Sequence, residues 1–270
     1  MATIAELGPR IGVGRTAEVF ALGDDRIVKL FYPNIDERFI QNEARAGELV
    51  SKAGLPVPGF HGSMEFDGRA GIVLERLRGE TILQLLRRRP WEILQLMRQF
   101  ASLHRELHQC EIPELRPYRD VLAMQIQNAP GLAEADKNRL HDHLQDLPLD
   151  RQMVCHGDFH PDNIMLTSRG PVVIDWMAAC SGEPAADVAR TVLLLSIGTP
   201  TEMDVVARMM ITVMRRLVLN RYKAYYFRDS DLARSRVMDW LPVIAAARLV
   251  EGIENETEQL LTLTGLQTNS

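Results

Sequence analysis

The spacing of hydrophobic and polar positions changes near residue 80, from the two-residue alternation of strands to the 3.6-residue recurrence of helices. Before that point, Glu18-Val19-Phe20-Ala21-Leu22 and Arg26-Ile27-Val28-Lys29-Leu30-Phe31 predict two strands joined by the turn Gly23-Asp24-Asp25. Residues 61–66 and 70–74 predict a hairpin turning at Asp67-Gly68. Together with the segment around Gly12 and Gly14 they make a five-stranded sheet, accompanied by one helix over about residues 35–52 that Leu55-Pro56-Val57-Pro58 ends. From Thr81 onward the pattern is helical, with Ile82, Leu85 and Leu86 on one face. A long helix over 90–109 then carries Leu94, Met97, Ala101, Leu103 and Leu107. The most apolar later stretch, 204–220, is interrupted by Arg208, Arg215 and Arg216, which predicts an amphipathic core helix rather than a membrane span. No repeat, low-complexity tract or long linker separates the two patterns, so a short hinge is expected between them.

Composition sharpens this outline. A chain of 270 residues, 46% hydrophobic, can bury one large core or two modest ones. The net charge of −5 and the lack of a basic run beyond Arg87-Arg88-Arg89 argue against nucleic acid as a partner, and that triplet reads as a solvated helix end. The start, MATIAELGPRIG, has no basic region followed by an apolar run. Cys110, Cys155 and Cys180 have neither even count nor metal spacing. The expectation is a cytoplasmic protein without membrane attachment, a monomer or weak homodimer.

The candidate chemistry concentrates in residues 154–176, VCHGDFHPDNIMLTSRGPVVIDW. Asp158 and Asn163 stand at Asp-x-x-x-x-Asn spacing, and the apolar run Val172-Val173-Ile174 predicts a buried strand that delivers Asp175. Phosphoryl transfer requires an acceptor for a hydroxyl proton and oxygen ligands for Mg²⁺ on the phosphates of ATP, and these residues supply both. Gly12 and Gly14 precede a strand rather than a helix, which favours a phosphate loop between antiparallel strands over a dinucleotide-binding turn, with Ala17 in place of a third glycine. Lys29 lies among apolar residues. It either snorkels to water or pairs with an acid on the following helix, Glu43 before Glu48, and so holds the α- and β-phosphates. The segment from Glu75 through Leu77 to Gly79 reads as a hinge whose backbone meets the adenine edge, or as a plain strand-to-helix loop.

Two rivals come from other classes. His156, Asp158 and His160 form an H-x-D-x-H cluster of the kind that activates water on zinc, but a zinc hydrolase leaves Asn163, Asp175, Lys29 and the glycine turn without roles. His104 and His108, four apart on a helix, are a further metal pair with no H-E-x-x-H or cysteine support. A nucleotide-binding pseudokinase scaffold predicts a missing catalytic side chain, and none is missing. Glu251, Glu254, Glu256 and Glu258, with Glu183 and Asp120, either attract a cationic acceptor or form a solvated face. Trp240, Tyr222, Tyr225 and Tyr226 either box a cation or belong to the core.

His156-Gly157-Asp158-Phe159-His160-Pro161-Asp162-Asn163-Ile164, followed by Ile174-Asp175-Trp176, resembles the signature of the aminoglycoside phosphotransferase and choline kinase family of the protein-kinase-like superfamily. IGVGRTAEVF, Lys29, Glu43 and the stretch from Gly182 to Arg190 extend the resemblance over most of the chain. It implies an α+β, bilobal protein-kinase-like fold: a small N-terminal five-stranded antiparallel sheet plus helix, residues 1–76, and a larger, mostly helical C-terminal lobe, residues 77–270. It further implies Asp158 as catalytic base, Asn163 and Asp175 as Mg²⁺ ligands, Lys29 with Glu43 on the ATP phosphates, and Asp187 tying the catalytic loop to its helix. Trp176 and Met177 stand where protein kinases have Phe and Gly. The short gap from Asp175 to Asp187 leaves no platform for a peptide, so the acceptor is expected to be a small hydroxyl compound, such as an aminoglycoside-like antibiotic, amino alcohol or amino sugar, bound between the catalytic loop and the helices after Thr201.

Overall fold

A computed structural model describes residues 3–197 and 204–266. Thr201 lies outside the described residues. The chain divides into two compact units, one of residues 1–85 with 161–179, the other of residues 86–160 with 180–270.

The first unit is built on an antiparallel sheet of β1 (Arg10–Val13), β2 (Ala17–Leu22), β3 (Arg26–Phe31), β4 (Phe60–Phe66) and β5 (Arg69–Glu75), in the order β1-β2-β3-β5-β4. Asp67 and Gly68 both take positive φ, 48° and 78°, the left-handed pair that a tight β4–β5 turn requires. Alternation along β3 sends Val28 and Leu30 to one face, where they pack with Phe66 and Val73. Lys29 and Phe31 go to the other. There Phe31, Ala17 and Ile72 meet Ile40 and Ala44 of the helix α1 (Glu37–Lys52). Asp36 caps α1 by accepting from the Arg38 amide at 2.8 Å. Two more pieces of chain belong to this unit. The strand β6 (Gly79–Thr81) pairs with β8 (Ile164–Thr167), which forms a hairpin with β9 (Gly170–Val173).

The second unit is mostly helical: the C-terminal end of α2 (Ile82–Arg88), then α3 (Ile93–Leu107), α4 (Tyr118–Gln127), α5 (Glu134–Asp146), α6 (Pro184–Ser196), α7 (Val205–Arg228), α8 (Arg234–Arg248) and α9 (Thr257–Leu263). A two-stranded ribbon of β7 (Met153–Cys155) and β10 (Cys180–Gly182) completes it. The buried stripe of α3 runs Ile93, Leu96, Met97, Phe100, His104, Leu107, the spacing of one helix face, and α3 packs on α7 while α6 packs on α8. Phe100 stacks on Phe159 at 4.6 Å between centroids, and each such buried side chain contributes about 1.5–3 kcal/mol. Cys155 and Cys180 face each other across the ribbon as free thiols, and burial pushes both thiols up, Cys180 to about 12, so they behave as small apolar groups. Among the described residues no helix is long and apolar enough to cross a membrane.

Candidate active site

Lys29 sits on the sheet face that α1 covers, and of the two glutamates considered on α1, Glu43 is the one turned toward it. Nζ of Lys29 lies 2.6 Å from Glu43 Oε1, whereas Glu48 pairs on the outer face with Lys52. The ammonium also lies 2.9 Å from Asp175 Oδ1, a partner 146 residues away that the strand pattern does not disclose. Burial works against a charged Lys29, but Glu43 and then Asp175 outweigh it and raise its pKa. For Glu43 burial dominates and pushes the carboxyl up to about 7; Lys29 opposes this and Asp175 adds to it. Oε2 of Glu43 is buried without a hydrogen-bond partner, which agrees with a carboxyl that gives up its charge readily.

The β8–β9 hairpin carries the other oxygen donors. The Ile174 amide donates to the Asn163 carbonyl at 2.9 Å, extending the Ile164–Val173 pairing by one step, so Asn163 and Asp175 stand at the same open end of the hairpin. Asp175 is one of two non-glycine residues with positive φ among the described residues, at 63°, and Trp176 anchors the bend by donating from Nε1 to the Val173 carbonyl at 3.1 Å. A left-handed aspartate is uncommon and is sustained only where the surroundings demand it, here by turning the carboxylate out of the strand toward Lys29. An amide oxygen and a carboxylate, with no sulfur or imidazole, are the donors that hard cations such as Mg²⁺ take.

Gly12 lies within β1, opposite Val19, and only Gly14 falls in the turn to β2, its amide donating to the Ala17 carbonyl at 2.8 Å; the expected turn thus begins two residues later than the first glycine. Ala17, where a third glycine was weighed, buries its methyl in the core beside Phe31 and Ile72, on the α1 face of the sheet. At the end of β5, Glu75 accepts from the Gly59 amide at 2.9 Å and from Arg169 at 2.7 Å, so its side chain braces the strand end and only its backbone faces the Arg76–Leu77–Arg78 segment that leads into β6.

In the second unit, one face of α6 holds the loop that contains Asp158. Asp187 accepts from the His156 amide at 2.7 Å and the Gly157 amide at 2.8 Å. One turn on, Arg190 Nε donates to the Gly157 carbonyl at 3.1 Å and the Thr191 hydroxyl donates to the Phe159 carbonyl at 3.0 Å. Positions 187, 190 and 191 share a helix face, so this grip follows from helical geometry. Gly157 takes φ 75°, and the Asp158 amide donates to His156 Nδ1 at 3.2 Å, which closes the turn. Burial opposes the charged form of Asp158. The hydrogen bond and charge of His160, then Arg190 and His156, overcome burial and hold this carboxyl well below the usual range.

The histidine pair of α3 is tied to Asp187 and to two tyrosines. Nε2 of His104 and of His108 lie 3.1 and 3.2 Å from the same Asp187 oxygen, and their Nδ1 atoms meet the hydroxyls of Tyr222 and Tyr226 at 2.8 and 2.7 Å. Burial drives His104 down to about 3, so it is neutral, and the bonds balance when Nε2–H donates to Asp187 and the tyrosine donates to Nδ1. His104, His108 and Asp187 form the one cluster of metal-ligating type among the described residues, so His156, Asp158 and His160 do not converge on a shared ion. Tyr222, Tyr226 and Trp240 are core, while Tyr225 lies against the protein's own Arg98 and Arg228, 5.5 and 5.6 Å from its ring. Glu183 is buried and accepts from the amides of Asp150 and Arg151, both at 3.1 Å. Glu251 and Glu256 pair with arginines, and Glu254 and Glu258 are exposed. Sequence reasoning gave no role to Arg190 or Thr191. Their spacing of three and four from Asp187 was the available signal.

The sequence pattern described as the phosphotransferase enzyme family matches residues 8–236, most of the chain, and the chain belongs to that family. No curated protein matches it. Among solved structures it is similar to an aminoglycoside-3'-phosphotransferase of type VIII, with 18% identity, TM-score 0.58, and 88% of this chain and 91% of the other covered. A thermostable mutant of an aminoglycoside phosphotransferase, solved as a ternary complex with AMP-PNP and hygromycin B, has 16% identity, TM-score 0.60, and coverage of 95% and 90%. A choline/ethanolamine kinase family protein from Mesorhizobium loti has 16% identity, TM-score 0.58, and coverage of 97% and 86%. The fold is therefore the bilobal, protein-kinase-like α+β fold, and the protein is a phosphotransferase.

Proposed function

We propose that the protein transfers the γ-phosphoryl group of ATP to a hydroxyl of a small molecule: an aminoglycoside-like antibiotic, an amino alcohol or an amino sugar. The observation that carries the reading is the placement of Lys29 between Glu43 and Asp175, at 2.6 and 2.9 Å, with Asn163 at the same hairpin end as Asp175. In this reading Lys29 binds the α- and β-phosphates and Glu43 keeps it extended from the sheet. The Gly12–Gly14 segment brings backbone amides to the phosphates, and the backbone of Glu75 and Leu77 meets the adenine. Asn163 and Asp175 would hold Mg²⁺, which when bound neutralises phosphate charge.

Asp158 orients the acceptor hydroxyl for in-line attack and takes its proton. A carboxylate held as low as this one is a weak base and accepts a proton only late, once the attacking oxygen has become strongly acidic. That suits a loose, metaphosphate-like transition state, in which proton removal lags phosphoryl transfer. The similarity to aminoglycoside phosphotransferases and to a choline/ethanolamine kinase family protein supports the acceptor class. Cysteines outside any disulfide fit a reducing cytoplasm, and the same reading takes the protein as a monomer or weak homodimer without nucleic acid or membrane partners.

The test is ADP release from Mg·ATP over a panel of aminoglycosides, macrolides, choline, ethanolamine, homoserine and amino sugars. An acceptor-dependent signal that Asp158→Asn reduces roughly 10²–10⁴-fold, with Mg·ATP binding nearly intact, is the expected result. Full turnover in that variant would overturn the role of Asp158. Stabilisation by Mg·ATP without ADP release for any acceptor would favour a nucleotide-binding scaffold instead.

A further inference from the structure

Between α8 and α9 the chain supplies a row of alternating charges that ends on the catalytic loop. Arg248 grips Glu256 through Nε at 2.7 Å and Nη2 at 3.1 Å, and its Nη1 donates to both oxygens of Glu251 at 3.1 Å. Glu251 Oε1 in turn accepts from Arg190 Nη2, and Arg190 Nε reaches the Gly157 carbonyl. The side chains of Arg248 and Glu256 are each 7% exposed, that of Arg190 12% and that of Glu251 24%. These are interior pairs, in which loss of one partner leaves a buried charge uncompensated.

The geometry points to Glu251 as a positioning residue for the catalytic loop, acting through Arg190. A guanidinium is a planar fork, so anchoring Nη2 on Glu251 fixes the plane and aims Nε at the Gly157 carbonyl. The peptide so held is the one that leads into Asp158. Its own N–H, that of Asp158, bonds to His156 Nδ1, and the preceding N–H, that of Gly157, is gripped by Asp187, so Arg190 completes the clamp. Arg190 is close enough for its charge to act on Asp158. Without Glu251 to neutralise and orient it, a buried arginine is drawn toward another carboxylate, and Asp158, whose charge already acts on it, is the one the acceptor needs. Glu251 therefore keeps Arg190 on the loop backbone and off the Asp158 side chain. The segment 249–256, remote in sequence from every nucleotide-handling residue, thereby takes part in catalysis without touching substrate. The proposal rests on the assignment of Asp158 as the base.

The experiment compares full-length wild type, Glu251→Gln, Arg190→Gln and the double variant, with water as the phosphoryl acceptor unless the panel has supplied a better one. It reads amide exchange over residues 153–160, ADP release from Mg·ATP, Mg·ATP affinity and melting temperature. For Glu251→Gln, loop exchange should quicken about tenfold and turnover should fall roughly 10- to 100-fold, the scale of a small misplacement of a reacting group. Mg·ATP affinity should stay within about twofold, because the nucleotide-handling residues are untouched. In loop exchange the double variant should be no worse than Arg190→Gln alone, since Glu251 reaches the loop only through that side chain; its bonds to Arg248 bear on the melting temperature instead. Wild-type loop exchange in Glu251→Gln, or exchange effects that multiply in the double variant, would overturn the proposal. Should Glu251→Gln fail to fold, Glu251→Asp keeps the charge with a shorter reach, and roughly two- to threefold faster loop exchange decides the question on the same reasoning. If the loop loosens as expected while wild type itself releases no ADP with any acceptor, the positioning stands and the phosphotransfer reading fails.

Discussion

Replacing Asp187 by Asn perturbs the most heavily used carboxylate in the second unit. Its oxygens accept from four donors: the His156 and Gly157 amides at 2.7 and 2.8 Å and the Nε2 atoms of His104 and His108 at 3.1 and 3.2 Å. Three of these fall on Oδ2 and one, from Gly157, on Oδ1. Burial disfavours the charge, but the bonds from His104 and His108 hold Asp187 well below the ordinary carboxylate range. An asparagine has one oxygen to offer. With that oxygen at the crowded site, its NH₂ faces the Gly157 amide; turned over, it faces the His156 amide. The histidines can adapt by exchanging tautomers with Tyr222 and Tyr226, but a backbone amide cannot, so one loop N–H loses its acceptor in either orientation. A lost charge-assisted bond is worth about 1.5–3 kcal/mol and a buried unsatisfied donor about 1–3 kcal/mol, which together give about 2.5–6 kcal/mol. At about 2–4 °C per kcal/mol that lowers the melting temperature by about 5–24 °C. Scanning calorimetry at neutral pH measures the shift, and amide exchange locates it in residues 154–160. A shift under about 2 °C would refute the hydrogen-bond accounting, since exposed substitutions alone produce changes of that size.

Lys29→Met removes the cation between Glu43 and Asp175 and should weaken Mg·ATP binding at least about tenfold, read by calorimetric titration, with a smaller effect on the metal-free fold because Glu43 can take up a proton. Glu43 also gives the metal-free protein a signed pH dependence. Its folded value of about 7 exceeds the ordinary 4.5, so the folded chain keeps a proton that the unfolded chain has lost, and stability falls as pH rises from 4.5 to 7 and then levels. Melting curves across that window should show the slope in wild type and a flatter profile in Glu43→Gln; equal slopes would remove Glu43 from the explanation. A thiol reagent should label Cys110 alone in the native protein, and slowly, because Cys155 and Cys180 are buried with raised pKa values; rapid labelling of either would contradict their burial.

Much of the first unit was legible because its signals are local. Asp67-Gly68 marks a turn by its own backbone preference, and alternation along residues 26–31 states that Lys29 shares a face with Phe31 rather than with Val28. The spacing of Asp158, Asn163 and Asp175 was equally local, since a short loop and one hairpin carry all three. Pairing across the fold was not legible. The cluster of glutamates near the C-terminus reads as an exposed acidic face or a lure for cations, but Glu251 and Glu256 are claimed by Arg190 and Arg248. His104 and His108 carry the spacing of a metal pair, and the sequence does not disclose that both meet Asp187.

The chain by itself therefore determined the strands of the first unit's sheet, the helices over about 35–52, 90–109 and 204–220, and which side chains would stand on the loop and hairpin proposed to handle phosphate, because backbone preference and periodicity act over a few residues. Tertiary structure alone decided which acid faces Lys29, why Asp175 joins it from 146 residues away, and which of many charges are paired in the interior rather than offered to a ligand. The physical reason is that a charge of given sign has many complementary partners in a sequence, and only packing, which sets distance and excludes water, selects among them.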